Sequence, residues 1–289
     1  DRLCTDRILH KSMLPRPIIK NVLQEEIYSR QSLVFGKSGQ SFLSGLNIAI
    51  VGLGGTGSSV AEQLSRMGVR NFTIIDHDEF EDSNKTRVYG SYANTNGNKV
   101  DIAAANILKI NPSAQIKVIK EKILKAQALM IVKNVDLIVS CVDRHAPRSL
   151  LNELSYQYFI PVFDTGVGIS TDGSNITGGS IRATLIGPGN PCFYCNNIVN
   201  SNVISSEMLS NSERDRLVKE GYVPGLLEEP SVVNYTTMAA SFGISLMLNT
   251  YLNLLSVGQF ETFRFLPKDD CICCKKLAMA DYELTSAIN

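Results

Sequence analysis

The chain has 289 residues, 44% apolar and 19% charged, and its 28 Lys plus Arg balance 28 Asp plus Glu to a formal net charge of zero. That apolar content can build a sizeable core and excludes disorder as the default state. Neutrality excludes a general polyanion binder, because non-specific nucleic-acid affinity comes from clustered Lys and Arg.

In chain order, Asp1 to Lys20 mixes charges and prolines and lacks the apolar segment of a signal peptide. Pro17 to Arg30 has helical spacing (Ile18, Val22, Ile27) and leads into a Gly/Ser-rich stretch, Gly36 to Gly45. A strand, Ile48 to Val51, ends in Gly52-Leu53-Gly54-Gly55-Thr56-Gly57, and a helix from Ser58 to Met67 closes at Gly68. The second strand, Phe72 to Ile75, stops at Asp76. A helix over Val100–Ile110 is terminated by Asn111-Pro112, and strands follow at Ile116–Ile119 and Leu137–Ser140. Next come a helix over Ser149–Tyr158 and a strand over Pro161–Phe163. Strands alternating with helices of about ten residues predict parallel β-α-β units.

The second half reads differently. Ser180–Leu185 is extended, Asn196–Pro230 is polar with helix-forming residues from Glu207 to Glu220, and Ser231–Leu255 is long enough for a buried helix. Phe260–Phe265 adds a last strand. The most apolar stretch, Met238–Leu255, is interrupted by Ser241, Ser245, Asn249, Thr250 and Asn253, and falls short of the ~18 uninterrupted apolar residues of a membrane span. The expectation is one elaborated α/β unit in a cytoplasmic protein, with neither membrane nor nucleic acid as a partner.

Gly52, Gly54 and Gly57 satisfy G-x-G-x-x-G between a strand and a helix. Such a turn lets the backbone approach phosphate closely and aims helix N-terminal amides at an anion. Asp76 lies 19 residues beyond Gly57 at the next strand end, where a carboxylate accepts ribose hydroxyls. A tight turn without ligand is the plain alternative, and the glycines alone leave NAD open. Gly36-Lys37-Ser38 is not a P-loop, since the first glycine of that motif would fall at Gln31. Asn84, Arg87 and Lys99 offer polar and cationic groups of the kind that hold a triphosphate during transfer.

The ordered set Tyr28-Ser29-Arg30-Gln31, Gly52 to Gly57, Asp76 to Arg87, Gly97-Asn98-Lys99, Asn111-Pro112, Ser140-Cys141-Val142-Asp143 and two C-x-x-C pairs resembles the ThiF/MoeB/HesA superfamily, bacterial relatives of ubiquitin-activating enzymes. The resemblance spans Tyr28 to Lys275. It implies a Rossmann-like nucleotide-binding fold, its mostly parallel sheet extended in the C-terminal half, with a structural zinc site. Residues 1–45 would form an N-terminal helical segment contributing to a dimer, and residues 46–289 the adenylation domain. The implied reaction is ATP-dependent adenylation of the C-terminal carboxylate of a small ubiquitin-like or sulfur-carrier protein ending in Gly-Gly, releasing pyrophosphate. Gly52, Gly54, Gly55 and Gly57 would line the nucleotide and Asp76 would hold the ribose. Asn84, Arg87 and Lys99 would serve the phosphates, and Asp143 would bind Mg²⁺. Arg30 matches an arginine that family dimers insert into the partner's site, which implies a homodimer with composite sites. Val88 and Arg144 depart from the family's usual Gln and Asn at those positions.

Cys192-Phe193-Tyr194-Cys195 and Cys271-Ile272-Cys273-Cys274 supply two knuckles expected to complete a tetrahedral four-sulfur Zn²⁺ site through Cys192, Cys195, Cys271 and Cys274, with Cys273 either a spare thiol or a replacement for a neighbouring ligand, and buried free thiols the plain alternative. Cys4, Cys141 and Cys273 are left without a task, Cys141 reading as a packed core thiol. Thioester-forming family members carry a cysteine in the segment after the first knuckle, and Asn196–Asp270 contains none. The expectation is therefore an adenylate formed without a thioester at the usual position. The competing readings are adenylation of a ribosomal peptide in natural-product maturation, a nicotinamide oxidoreductase, and an inactive scaffold that binds a ubiquitin-like protein.

Overall fold

The computed structural model describes residues 26–173, 175–221 and 230–252. Six strands form one sheet in the order β3-β2-β1-β4-β5-β6. They are β1 (Asn47–Val51), β2 (Asn71–Ile75), β3 (Gln115–Ile119), β4 (Leu137–Ser140), β5 (Val162–Thr171) and β6 (Ile176–Ile186). The first five run parallel, and β6 turns back antiparallel on β5. This is the expected Rossmann-like α/β fold with a mostly parallel sheet.

Parallel strands must be covered on both faces, and here alternate residues feed two cores. Ile48 and Ile50 point with Phe72, Ile74, Val139 and Phe163 into one, while Ala49 and Val51 point with Ile75, Ile138 and Val162 into the other. The first core is covered by α1 (Ser29–Gly45), α2 (Gly55–Arg66), α3 (Lys99–Ile110) and α8 (Val233–Leu252). The second lies under α4 (Ala126–Val132), α5 (His145–Tyr158) and the first cysteine knuckle. Each fully buried Ile, Leu or Phe here contributes about 1.5–3 kcal/mol relative to exposure.

Several boundaries correct the sequence expectations. Gly36–Gly45 is helix, the second half of α1, hinged at Gly36 (φ 69°, ψ 168°). Burial of Gly39 through Ser44 against the core outweighs the weak helix propensity of Gly and Ser. The helix expected from Ser58 begins at Gly55, and the one expected from Ser149 begins at His145, where Pro147 is tolerated in the first turn. Helix α4 was not foreseen. The strands expected at Pro161–Phe163 and Ser180–Leu185 are the inner ends of a ten- and an eleven-residue strand. Their outer halves, rich in Gly, Ser and Thr, rise beyond β4 as a two-stranded ribbon. The polar segment holds α6 (Ser201–Glu207) and α7 (Asn211–Lys219). Most of the helix expected over Pro17–Arg30, the strand over Phe260–Phe265, and Cys4, Cys271, Cys273 and Cys274 lie outside the described residues.

Candidate functional site

In an open parallel sheet, ligands bind outside the carboxyl ends of the strands where the strand order reverses, here between β1 and β4. The glycine turn sits there. Gly52 has φ 88°, and a Cβ on it would lie 2.7 Å from the Cys141 carbonyl oxygen, so the turn passes directly over the end of β4. A Cβ at Gly57 would come 1.8 Å from the Gly52 oxygen, which only glycine permits. Gly54 is the N-cap residue of α2, a Cβ there meets nothing within 4 Å, and Gly55 opens the helix. The turn thus presents open backbone at the N-terminus of α2, the arrangement an anion requires.

Asp76, buried at the end of β2, holds this turn in place. Its Oδ2 accepts the Leu53 amide at 2.6 Å and its Oδ1 accepts the Asp78 amide at 2.9 Å. Burial raises its pKa above the ordinary 3.8, and the two amides with the Lys99 charge partly offset that rise. Asp78 carries the link onward to α3: the Lys99 amide donates to its carbonyl, and Lys99 Nζ lies 2.7 Å from its Oδ2. Burial pushes the Asp78 carboxyl up, but the Lys99 hydrogen bond and charge, with His77 and Lys122, outweigh it and hold the group below 3.8. Asp78 was not singled out in the sequence, although it bonds to both Asp76 and Lys99.

Asn84 and Arg87 lie on a single-turn 3₁₀ segment, Asp82–Thr86, and its C-cap. Asn84 is buried and its Oδ1 accepts the Glu81 amide at 3.2 Å, so part of its role is to shape this turn. Arg87 Nη1 donates to the Ser83 carbonyl at 2.7 Å and its side chain is partly exposed. The Tyr89 amide donates to Ser58 Oγ at 3.0 Å, which ties the segment to the first turn of α2. Asp143 is exposed in the loop between β4 and α5. Arg144 is the N-cap residue of α5, and Val88 is buried, in keeping with its apolar side chain.

Arg30 is not brought to this site within its own chain. It is exposed in the first turn of α1, and its neighbour Gln31 donates to the Arg66 carbonyl, at the end of α2 opposite the glycine turn. Twelve residues of helix separate those ends by about 18 Å. Cys141, half-buried at the end of β4, accepts the Thr165 hydroxyl at 3.4 Å, and burial pushes its thiol up to about 12, which disfavours the thiolate.

The first knuckle is a buried turn, with Cys192 Sγ and Cys195 Sγ 3.6 Å apart and the Phe193 amide anchored on Asn152 Oδ1 of α5. Ligand sulfurs about 2.3 Å from a tetrahedral ion stand roughly 3.8 Å from each other, so this half fits a zinc site. Its other two cysteines lie outside the described residues.

Sequence reasoning also missed a buried charge cluster beside Asp143. Asp164, fully buried on β5, accepts from Ser140 Oγ at 2.7 Å, from Arg148 Nε at 3.3 Å and from Arg182 Nη2 at 2.6 Å. Arg148 spends its other nitrogens on the Val142 and Asp143 carbonyls. A carboxylate next to Val162-Phe163 in an apolar strand was the available signal. A second missed residue, Glu207 of α6, caps α5 by accepting the His145 and Ala146 amides at 3.1 and 2.7 Å, and His145 Nδ1 accepts the Asn200 amide at 3.1 Å.

This fold and turn define the class of doubly wound, Rossmann-like α/β proteins. Within it the chain belongs to the ThiF family, whose pattern matches residues 28–264. It is 32% identical over 174 residues to the adenylyltransferase and sulfurtransferase UBA4 of Yarrowia lipolytica, covering 58% of this chain and 41% of that protein. It is 31% identical over 171 residues to the adenylyltransferase and sulfurtransferase MOCS3 of Drosophila virilis, covering 58% and 36%. The chain thus matches well under half the length of these curated relatives. Among solved structures, E. coli MccB with AMPCPP and MccA shares the fold, with a TM-score of 0.66 at 18% identity over 95% of this chain and 81% of that one. E. coli tRNA N6-threonylcarbamoyladenosine dehydratase TcdA matches with a TM-score of 0.55 at 18% identity, covering 77% and 94%. No helix among the described residues is long and apolar enough to cross a membrane.

Proposed function

We propose that the chain adenylates the C-terminal carboxylate of a small ubiquitin-like or sulfur-carrier protein. The carboxylate oxygen attacks the α-phosphorus of ATP, the bond to the bridging oxygen breaks, and pyrophosphate leaves with its electrons. The observation that carries this reading is the continuous array from the glycine turn through Asp76 and Asp78 to Lys99. It joins a turn shaped for phosphate, a carboxylate for ribose and a cation for developing charge in one preorganised unit. The relatives named as adenylyltransferases support the same chemistry.

In this reading Gly52, Gly54, Gly55 and Gly57 accommodate the nucleotide, with the α2 amides facing its phosphates. Asp76 accepts ribose hydroxyls with the lone pairs its two amides leave open. Asn84 shapes the turn that carries Arg87, and Arg87 and Lys99 neutralise charge as pyrophosphate departs. Asp143, exposed and free of a side-chain partner among the described residues, suits a hard oxygen-liganded cation. Mg²⁺ held there would screen the phosphate oxygens. Arg30 acts in the partner's site of a homodimer, in line with its distance from its own glycine turn. Cys192 and Cys195 hold Zn²⁺ with Cys271 and Cys274 as a closed structural site. No cysteine lies between Asn196 and Asp270, so the adenylate passes to an external nucleophile.

A peptide in place of the carrier protein is the second reading, favoured by the fold likeness to MccB bound to MccA. Incubation of the chain with Mg-ATP and a carrier ending in Gly-Gly, followed by mass spectrometry, tests the proposal. A carrier that gains the mass of AMP supports it; an unmodified carrier, with nicotinamide binding instead, removes it.

A further inference from the structure

The cluster around Asp164 contains more positive charge than it needs. One fully buried carboxylate faces two guanidinium groups, Arg148 with a side chain 10% exposed and Arg182 with one 38% exposed. The carboxylate alone accounts for keeping one arginine beside it, because a buried charge must be paired. Arg148 is engaged on every nitrogen, with Nε on Asp164 and the two Nη atoms on the Asp143 and Val142 carbonyls. Arg182 differs: among the described residues only its Nη2 has an acceptor, and its Nε is buried without one.

The backbone is shaped to put Arg182 there. Arg182 on β6 pairs with Gly166 on β5, two residues beyond Asp164, the position that pairs with the last residue of β4. Its side chain crosses Gly166 to reach Asp164, and a Cβ at Gly166 would lie 2.8 Å from Arg182 Nη2. The guanidinium therefore rests on the inner end of the ribbon and shares Asp164 with Arg148, whose own Nη atoms donate to the Val142 and Asp143 carbonyls. The nucleotide residues lie over β1 and β2, Asp143 follows β4, and Arg182 flanks it from the β5–β6 side. A nucleotide held over β1 and β2 would leave the β5–β6 side, on which Arg182 lies, open to an acyl substrate.

We propose that Arg182 is the specificity-determining residue for the substrate's free C-terminal carboxylate, which it binds through its Nη1 and the second N–H of Nη2, the donors that Asp164 leaves unused outside the buried Nε. Asp164 fixes the guanidinium and lowers the entropy lost on binding, while Arg148 sets the cluster's position relative to Asp143. This inference rests on the adenylation reading and adds to it the group that recognises the acid.

The test uses the full chain loaded with Mg²⁺ and a non-hydrolysable ATP analogue. It is titrated with a pentapeptide ending in Gly-Gly, once as the free acid and once as the C-terminal amide. The wild type binds the acid about tenfold or more tightly than the amide, the scale of a charge-assisted pair. Arg182→Ala binds both alike with its affinity for the analogue within about twofold of wild type, and Arg182→Lys recovers part of the preference. An Arg182→Ala chain that keeps the preference overturns the inference. So does one that loses analogue affinity in the same proportion, which marks a purely structural ion pair. Analogue binding by a wild type that does not distinguish acid from amide removes this inference alone. No analogue binding removes the adenylation reading and this inference with it.

Discussion

At the residue scale, two carboxylates two positions apart are driven in opposite directions. Asp76 is raised above 3.8 chiefly by burial, and Asp78 is lowered because Lys99 outweighs its burial. On acidification Asp76 therefore protonates first, and Asp78 keeps its charge until a lower pH. The two act oppositely on stability. Asp76 binds its proton more tightly when folded, so its contribution is full below 3.8 and is lost as pH rises through its raised value. The Asp78 contribution is present above 3.8 and is lost as pH falls through its depressed value. Carboxyl-carbon NMR across the acid range should show Asp76 titrating above Asp78, and Lys99→Ala should move Asp78 upward; coincident titrations would contradict the assigned geometry. Gly52, Gly57, Asp76 and Lys99 were legible in the sequence because a turn motif fixes its own spacing. Asp78, Asp164 and Arg182 were not, because their roles depend on partners 16 to 24 positions away that composition does not reveal.

At the element scale, α6 lies against the start of α5 through two ties, the Glu207 carboxylate on the His145 and Ala146 amides and the Asn200 amide on His145 Nδ1. A carboxylate on a helix N-terminus gains from both hydrogen bonds and the helix dipole. Glu207→Gln keeps the shape and removes the charge, and should cost about 0.5–2 kcal/mol of local stability. Hydrogen exchange should then rise over Ser201–Glu207 while β1 and β4 stay protected; unchanged exchange would show that the tie does not hold α6. The strands were well marked by their apolar runs. The boundaries that slipped have specific causes: α1 continues through Gly36 because its second half is buried, α2 starts at Gly55 because the last glycines of the motif form its first turn, and the outer halves of β5 and β6 lack a strong apolar signal because they are rich in Gly, Ser and Thr and only partly covered.

At the scale of the whole molecule, neutrality conceals a division of labour. Ion pairs join Asp78 to Lys99 and Asp164 to Arg148 and Arg182, while the N-terminal helical region exposes Ile27 (74%), Leu33 (87%) and Val34 (65%). Arg30 lies among these apolar side chains, so the proposed homodimer would bury them as it delivers Arg30 to the partner. Leu33→Asp should shift the chain from dimer to monomer in light scattering with its helix content unchanged. A wild type that is monomeric at every concentration would exclude the composite site.

The proposed acyl-adenylate forms reversibly while pyrophosphate is present. Mg²⁺-dependent ATP–pyrophosphate exchange, run with a carrier ending in Gly-Gly or with a peptide acid, measures that step without waiting for the final acceptor. Exchange should require both Mg²⁺ and the acyl substrate, and should fall by a factor of about 10² or more in Asp143→Ala. Absence of exchange with every free-acid substrate, or exchange undiminished in Asp143→Ala, would contradict the proposed adenylation.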